Sequence, residues 1–341
     1  MSIHVLEHTH GALRRAVEAT GEPGYRADQI ADWVYDKYCT EPSAMSNLPA
    51  SVARQLTITA TRFVARGDSR DGTVKLLVAC ADGERVECVL IPTRRRATAC
   101  ISTQVGCAYE CGFCATGQDG LRRNLTAAEI LAQLLHLGAA AGRRITNVVF
   151  MGSGEPLANY DATVAAIRAI VDPQRFGISA RSVTVSTVGL PGKIRRLAEE
   201  DLPVTLALSL HAPNDPLRRE LMPAAARAPL SEILDAAADF YARRKREVTI
   251  EYVLLAGVND TNVCAEALAR LVRRLRCNVN LIRYNPVDGT PYARPSESAA
   301  RAFLQRLRRE GVNAHLRRSR GRDADAACGQ LRRRAGGGVH G

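Results

Sequence analysis

The sequence contains little lysine, few aromatic residues and no long apolar stretch. Only four of its 47 cationic side chains are lysine, and aromatic residues make up 5% of the 341 positions. No run of 18 apolar residues occurs, so no segment predicts a transmembrane helix. The first twenty residues also lack the apolar segment of a signal peptide. These absences argue against a membrane protein and predict a cytoplasmic one.

The charge that is present is almost entirely arginine. The formal net charge is +12, and 43 of the cationic side chains are arginine. A guanidinium group binds phosphate oxygens in pairs and stacks on bases, which favours a polyanionic partner such as RNA. Arginine-rich codon usage with a solvated basic surface explains the same composition. Charge alone leaves both interpretations open.

Ten cysteines are many for a chain with no sign of secretion. Disulfide frameworks are typical of secreted domains below about a hundred residues. The length and the uneven spacing therefore favour metal or redox chemistry.

The chain length predicts about two domains, or one large domain with a smaller partner. Local composition divides it further: a helical accessory module at 1–57, a small antiparallel β extension at 58–93, a core at 94–331 and a flexible basic tail at 332–341. In the first module Ile30, Trp33, Val34 and Tyr38 recur near helical spacing.

Strands and helices alternate from residue 98 onward. The predicted strands are TACISTQVG, NVVFM, SVTVST, VTLALSL, VTIEYVLL and NVNLIRY, with VNAHLRR as a short seventh strand. Thr126 and Glu129 form a capping-box pattern that opens a helix reaching about Ala141. Six β/α units predict an α/β fold, a partial (β/α)6 TIM-like barrel with its chemistry at the carboxyl ends of the strands. A doubly wound open sheet is the alternative.

Three cysteines, Cys107, Cys111 and Cys114, form C-x3-C-x2-C directly after the first core strand. Three thiolates leave one coordination position open, so in a [4Fe–4S] cluster the fourth iron can bind a further ligand. A zinc site completed by Cys100 is the alternative, although the spacing differs from that of paired zinc knuckles.

The C-x3-C-x2-C spacing is the signature of the radical S-adenosylmethionine superfamily, and the surrounding text resembles one branch, the RlmN/Cfr family of RNA adenine methyltransferases. The resemblance rests on CISTQVGCAYECGFCATGQDGLRRNLT, VVFMGSGEPLANYD, VTVSTVGLPGKI, LALSLHAPND, EYVLLAGVND, NLIRYNP and DADAACGQL, in that order. It runs from about residue 22 to Leu331 and is closer to RlmN. Ser153 departs from the family, which more often has Met there.

The resemblance implies a radical S-adenosylmethionine barrel, a [4Fe–4S] cluster held by the three cysteines, and two S-adenosylmethionine molecules per turnover. The residues that match the family's cofactor-binding positions are Gly154, Glu155, Ser186, Ser209, Leu210, His211 and Asn285. Cys328 matches the cysteine that carries the methyl group in this family, and Cys100 matches the cysteine that forms a transient disulfide with it. Glu87 matches the family's proton acceptor. Taken alone, Glu87 could equally be a strand residue that faces solvent.

The implied activity is methylation of an adenine ring carbon through a methylated cysteine. Carbon 2 is favoured over carbon 8 because the motif is GEP rather than GEA. The expected partners are rRNA, tRNA or both, and an electron donor such as flavodoxin or ferredoxin, with the chain a monomer. Two other classes stay open: a radical enzyme acting on a small substrate, and a zinc-stabilised RNA-binding protein without catalysis.

Overall fold

The computed structural model of the chain describes residues 2–118, 120–225 and 227–331. The predicted basic tail, 332–341, lies outside the described residues.

The amino-terminal segment is a small helical module, with α1 at His10–Glu18, α2 at Arg26–Ala31 and α3 at Ala50–Ala53. A π-helical turn continues α2 through Asp32–Asp36. Two short strands, β1 at Ile3–His4 and β2 at Leu56–Thr57, pair in parallel and bring the ends of the module together. Val34 is fully buried, and the Tyr38 hydroxyl accepts a hydrogen bond from the Ile145 amide at 2.9 Å. The predicted apolar face therefore packs against the core.

Three antiparallel strands follow: β3 at Arg62–Asp68, β4 at Val74–Ala79 and β5 at Arg85–Pro92. They do not form a separate sheet. β5 pairs antiparallel with β6, Ala97–Cys100, which places Val89 opposite Cys100. The antiparallel strands thus extend the core sheet to ten strands.

The core alternates strands and helices. After β6 come β7 (Gln104–Gly106), α4 (Ala115–Gln118), β8 (Leu121–Asn124), α5 (Ala127–Ala141), β9 (Asn147–Phe150), α6 (Tyr160–Val171), β10 (Val183–Thr187), α7 (Pro191–Glu199), β11 (Thr205–Ser209), α8 (Asp215–Leu221), α9 (Leu230–Arg244), β12 (Val248–Leu254), α10 (Asn262–Val272), β13 (Cys277–Arg283), α11 (Glu297–Arg309) and β14 (Ala314–Arg317).

Seven of these strands form one parallel array in the order β14, β13, β12, β11, β10, β9, β6. Each is joined to the next through helical segments, so all their carboxyl ends lie at one edge. The predicted α/β fold with six β/α units and a seventh strand is confirmed. The strands are almost continuously apolar because both faces are covered.

TACISTQVG was expected to be one strand, and here the structure differs. β6 ends at Cys100, and Ser102 and Thr103 leave the sheet before β7 begins. The Ser102 amide donates to Gln133 Oε1 at 2.8 Å, and the Thr103 amide donates to the Ser153 carbonyl at 2.9 Å. These bonds satisfy the amides that a continuous strand would have paired.

Helix α8 was not expected from the sequence. The Asn214 side chain accepts from the Leu217 amide at 2.9 Å and caps this helix, with a proline in its first turn. Asn-Asp-Pro is a helix-start signal, although seven residues give a weak apolar pattern. In the described part of the chain, no helix has the length and apolar character needed to span a membrane.

The capping box of α5 is present as expected, with Thr126 Oγ1 accepting from the Glu129 amide at 3.2 Å. We predict that Thr126→Ala lowers the free energy of unfolding by about 1 kcal/mol, because the helix start loses its side-chain cap. Urea titration of the anaerobically purified protein measures this. Thr126→Ser keeps the hydroxyl and should match the wild type; equal midpoints for all three proteins would contradict the prediction.

Candidate active site

One cavity opens at the carboxyl ends of the parallel strands. It contains about 1040 Å³ of space, open solvent included. Eight of the residues expected at the site lie on its wall: Cys107, Cys111, Cys114, Gly154, Glu155, Ser186, Ser209 and His211. Cys328 lies on the same wall, and the remainder is largely apolar.

The three-cysteine motif forms the loop between β7 and α4. Gly106, just before Cys107, has φ +79°, and a Cβ there would lie 1.8 Å from the Gly120 carbonyl oxygen, so only glycine fits. The Cys107 amide donates to the same oxygen at 3.0 Å. Burial raises the pKa of Cys107 to about 12 and that of Cys111 well above its usual range. Thiolates here therefore need a cationic centre to stabilise them.

The donor set fits a cluster better than a single ion. In residues 2–118, 120–225 and 227–331, no three His, Cys, Asp or Glu side chains converge closely enough to hold one metal ion. All three motif cysteines nevertheless line one cavity, and sulfurs around a multi-iron cluster stand farther apart than around one zinc. A [4Fe–4S] cluster held by three cysteines, with one iron open to the cavity, fits this arrangement.

Gly154 and Glu155 follow β9 on the adjacent wall. Gly154 has φ +101°, and a Cβ there would meet Gln104 at 2.5 Å. The Glu155 carboxylate accepts from the Leu157 and Val188 amides at 2.9 and 2.8 Å, which fixes its orientation. Burial raises its pKa to about 7. With a further hydrogen bond from the Thr187 side chain, the carboxylate still retains acceptor capacity for a cationic ligand group such as an amine.

Ser186 and Ser209 lie side by side near the ends of β10 and β11, with their hydroxyl oxygens 3.3 Å apart. His211 follows at φ +60°, and its Nδ1 accepts from the Val253 amide at 3.0 Å. Burial and the Arg218 cation lower the pKa of His211 to about 3. The ring is therefore neutral, and its Nε2 carries the hydrogen.

Two expected cofactor contacts lie off the cavity wall. Leu210 is fully buried in the main core, and its amide donates to the Glu251 carbonyl at 3.1 Å. Asn285 donates through Nδ2 to the Cys328 carbonyl at 3.2 Å and accepts from Arg294 at 2.9 Å. In this structure Asn285 therefore holds the loop that contains Cys328.

Cys328 lies in the segment after β14, which returns across the strand ends. The Ala115 amide donates to the Gly329 carbonyl at 2.8 Å, and Thr116 Oγ1 donates to the Leu331 carbonyl at 2.7 Å. Cys328 thus lies directly beside the helix that begins after Cys114. It has accessible surface, but that surface faces the cavity, and burial raises its pKa to about 11.

Cys100 lies on the other side of the same segment. It packs in a small apolar cluster with Val89 of β5 and with Ala326 and Leu331. The last two residues lie on either side of Cys328 in the sequence. Burial, and next the nearby Cys328 sulfur, raise the pKa of Cys100 to about 12. Two cysteines that are far apart in sequence are therefore neighbours, and of the two only Cys328 lines the cavity.

Glu87 lies on β5 and is 3% exposed, so the solvent-facing alternative is wrong. Its Oε1 is 3.1 Å from Lys75 Nζ, and Lys75 also donates to the Asp325 carbonyl at 3.1 Å. Lys75 thereby ties Glu87 to the Cys328 segment. Glu87 is not on the cavity wall.

Sequence reasoning missed two charged residues of the wall, Glu251 on β12 and Arg317 on β14. They form an ion pair at 3.4 Å, and Glu251 also accepts from Asn280 at 3.0 Å. Burial raises the pKa of both Cys328 and Cys100, and the positive charge of Arg317 offsets part of that rise. The available signal was a carboxylate inside VTIEYVLL, an otherwise apolar buried strand.

Comparison with known proteins agrees with this site. Residues 101–269 match the model of the Radical SAM superfamily, and residues 3–61 match that of the ribosomal RNA large subunit methyltransferase N-terminal domain. The fold and the three-cysteine cavity are those of a radical S-adenosylmethionine enzyme, which implies a [4Fe–4S] cluster and S-adenosylmethionine as cofactors.

The relatives define the branch. A probable dual-specificity RNA methyltransferase RlmN from Thermosynechococcus vestitus is 46% identical over 96% of this chain and 98% of its own. A dual-specificity RNA methyltransferase RlmN from Solidesulfovibrio magneticus is 43% identical over 96% of both chains. The crystal structure of a radical SAM methyltransferase from Sphaerobacter thermophilus superposes with TM-score 0.93, at 44% identity over 97% of this chain and 100% of that chain. The chain belongs to the RlmN family.

We predict that Cys111→Ala abolishes cluster binding, because three ligands leave none to spare. Iron and sulfide analysis after anaerobic reconstitution should fall from about four of each per chain to near zero. Cys39→Ala, which removes a half-buried thiol elsewhere, should retain the full complement. An iron-replete Cys111→Ala protein would refute the ligand assignment.

Proposed function

We propose that this chain methylates carbon 2 of an adenine ring in RNA, in large-subunit rRNA and in tRNA, through a methyl group carried on Cys328. The observation that carries the proposal is the position of Cys328 between Cys100 and the cluster loop. The names of the relatives support RNA as the substrate, and the GEP motif, with Pro156 after Glu155, supports carbon 2.

The chemical problem explains why a carrier cysteine is needed. An adenine ring carbon is a poor nucleophile, so it does not accept a methyl group by direct polar transfer. The cluster and S-adenosylmethionine, when bound, supply the carbon-radical chemistry that protein side chains lack. A low-potential donor such as flavodoxin or ferredoxin would provide the electron. The protein must then hold a methyl group where a hydrogen atom can be removed from it.

Cys328 meets that requirement. Its thiol loses a proton and its sulfur takes a methyl group from a first S-adenosylmethionine. Arg317 favours the thiolate, because a nearby cation lowers the thiol pKa. Loss of one hydrogen atom from that methyl, to the carbon radical that the bound cofactors would supply, leaves a carbon radical on the Cys328 side chain, which adds to the adenine carbon. The target base must be unstacked to reach the cavity.

Glu87 and Cys100 complete the reaction. The Glu87 carboxylate removes the ring proton, and the adduct loses one electron to an acceptor, a role that the oxidised iron–sulfur cluster would supply, so a thioether joins Cys328 to the RNA. Cys100 thiolate then attacks the Cys328 sulfur. A disulfide forms, the sulfur–carbon bond breaks, and its electron pair stays on the carbon, which takes a proton to become methyl. A reductant must afterwards reopen the disulfide.

We predict that Cys100→Ala traps the thioether, because nothing can then attack the Cys328 sulfur. RNA should remain covalently bound to the protein after denaturation, and digestion should locate it on Cys328. Product formation should fall by at least a hundredfold. Cys264→Ala, a substitution of a half-buried helix thiol, should release product normally. Normal turnover by Cys100→Ala with no bound RNA would rule out its proposed role.

A further inference from the structure

Arg218 is a fully buried arginine that forms no ion pair within the described part of the chain, and the nearest carboxylate that influences it is Asp215, one turn earlier on α8. Its relative exposure is 0%, and among the residues that the structure describes no carboxylate lies within ion-pair distance of its guanidinium. Arginine is almost never fully buried unless it is paired, because an uncompensated charge loses its hydration. The position therefore requires an explanation.

The hydrogen bonds of Arg218 do not supply the missing negative charge. Nη1 donates to the Ala225 carbonyl at 2.9 Å, and Nη2 donates to the Val188 carbonyl. Its Nε is buried without a partner. Two neutral carbonyls satisfy part of the guanidinium but leave the net charge uncompensated.

Helix α8 places Arg218 directly behind the cluster loop. The Gly112 amide, between Cys111 and Cys114, donates to the Leu221 carbonyl at the end of α8 at 3.0 Å. Arg218 lies close enough to Cys111 for each to influence the pKa of the other. It does not line the cavity, so a ligand bound there would not meet its guanidinium directly.

Asp215 compensates the Arg218 charge only at a distance, without an ion pair. A cluster with three thiolate ligands would supply a further anion close to the guanidinium. In a site without water the attraction between such charges is large. Net charge near the cluster and burial are among the factors that set the reduction potential. A fixed cation stabilises the reduced, more negative state more than the oxidised state.

We infer that Arg218 is the fixed countercharge of the iron–sulfur centre, held behind the cluster loop by α8 and raising the centre's reduction potential. The role is that of a tuning and positioning residue and not of a catalytic one. The inference rests on the cofactor of the superfamily and goes beyond the proposed function, since neither the RNA nor the carbon methylated enters the argument.

The test is a redox titration of the anaerobically reconstituted full-length protein, followed by electron paramagnetic resonance, with iron content measured in parallel. Arg218→Gln should lower the equilibrium constant for cluster reduction at least tenfold, a shift of about 59 mV to more negative potential. Arg218→Lys keeps the charge and should stay close to the wild type. Arg219→Gln removes the same charge from an exposed neighbour on α8, where solvent screens it, and should change little.

The lysine variant separates charge from hydrogen bonding. If Arg218→Gln loses the cluster altogether while Arg218→Lys retains it at nearly wild-type potential, the charge is again supported. Equal potentials in Arg218→Gln and the wild type at full iron content would overturn the inference. So would identical behaviour of the lysine and glutamine variants, because the guanidinium would then act only as a support for the two carbonyls.

Discussion

The site depends on the return of the carboxyl-terminal segment across the strand ends. Carbonyl groups of this segment accept hydrogen bonds from Asn285, from the Ala115 amide and from Thr116, so the segment is fixed by its backbone. These bonds leave the Cys328 sulfur free to react while its position is set. The turn between β3 and β4 also binds this segment. The Asp323 carboxylate accepts hydrogen bonds from the Ser69 hydroxyl and from the Arg70 amide. If the segment did not return across the strand ends, Cys328 and Cys100 would not be neighbours.

Electrostatics then determines which cysteine sulfurs of the site can become thiolates. Burial raises the pKa of Cys107, Cys100 and Cys328, so an empty site favours neutral thiols. Positive charge has to be provided wherever a thiolate must form. Arg317 supplies it beside Cys328 and Cys100, the two cysteines that we propose act in methyl transfer. A bound metal centre would supply it at the cluster loop. His211, which is neutral, can contribute to the wall through hydrogen bonds but not through charge.

The sequence predicted the parts of the fold whose signals are local. The apolar runs indicated the strands of the core, and the capping box at Thr126 indicated the start of α5. The cysteine spacing indicated the cofactor. It could not predict contacts between segments that the tertiary fold brings together. These are the pairing of β5 with β6, the hydrogen bond from Asn285 to the Cys328 loop, and the burial of Leu210 in the core. Arg218 was overlooked because one arginine among 43 gives no local signal of burial. Motif resemblance predicted roles for five of the cysteines, and the fold then showed that Cys328 and Cys100 are neighbours.

The central claim is that the methyl group passes through Cys328 as a radical carrier. The most direct measurement preloads Cys328 with a trideuterated methyl group and then supplies unlabelled S-adenosylmethionine and RNA for a single turnover. Mass spectrometry of the methyladenosine should find two deuterons, because one is removed from the carried methyl and a solvent proton completes the product. Three deuterons would mean intact polar transfer of the methyl group. None would remove Cys328 as the carrier, and either result would contradict the account.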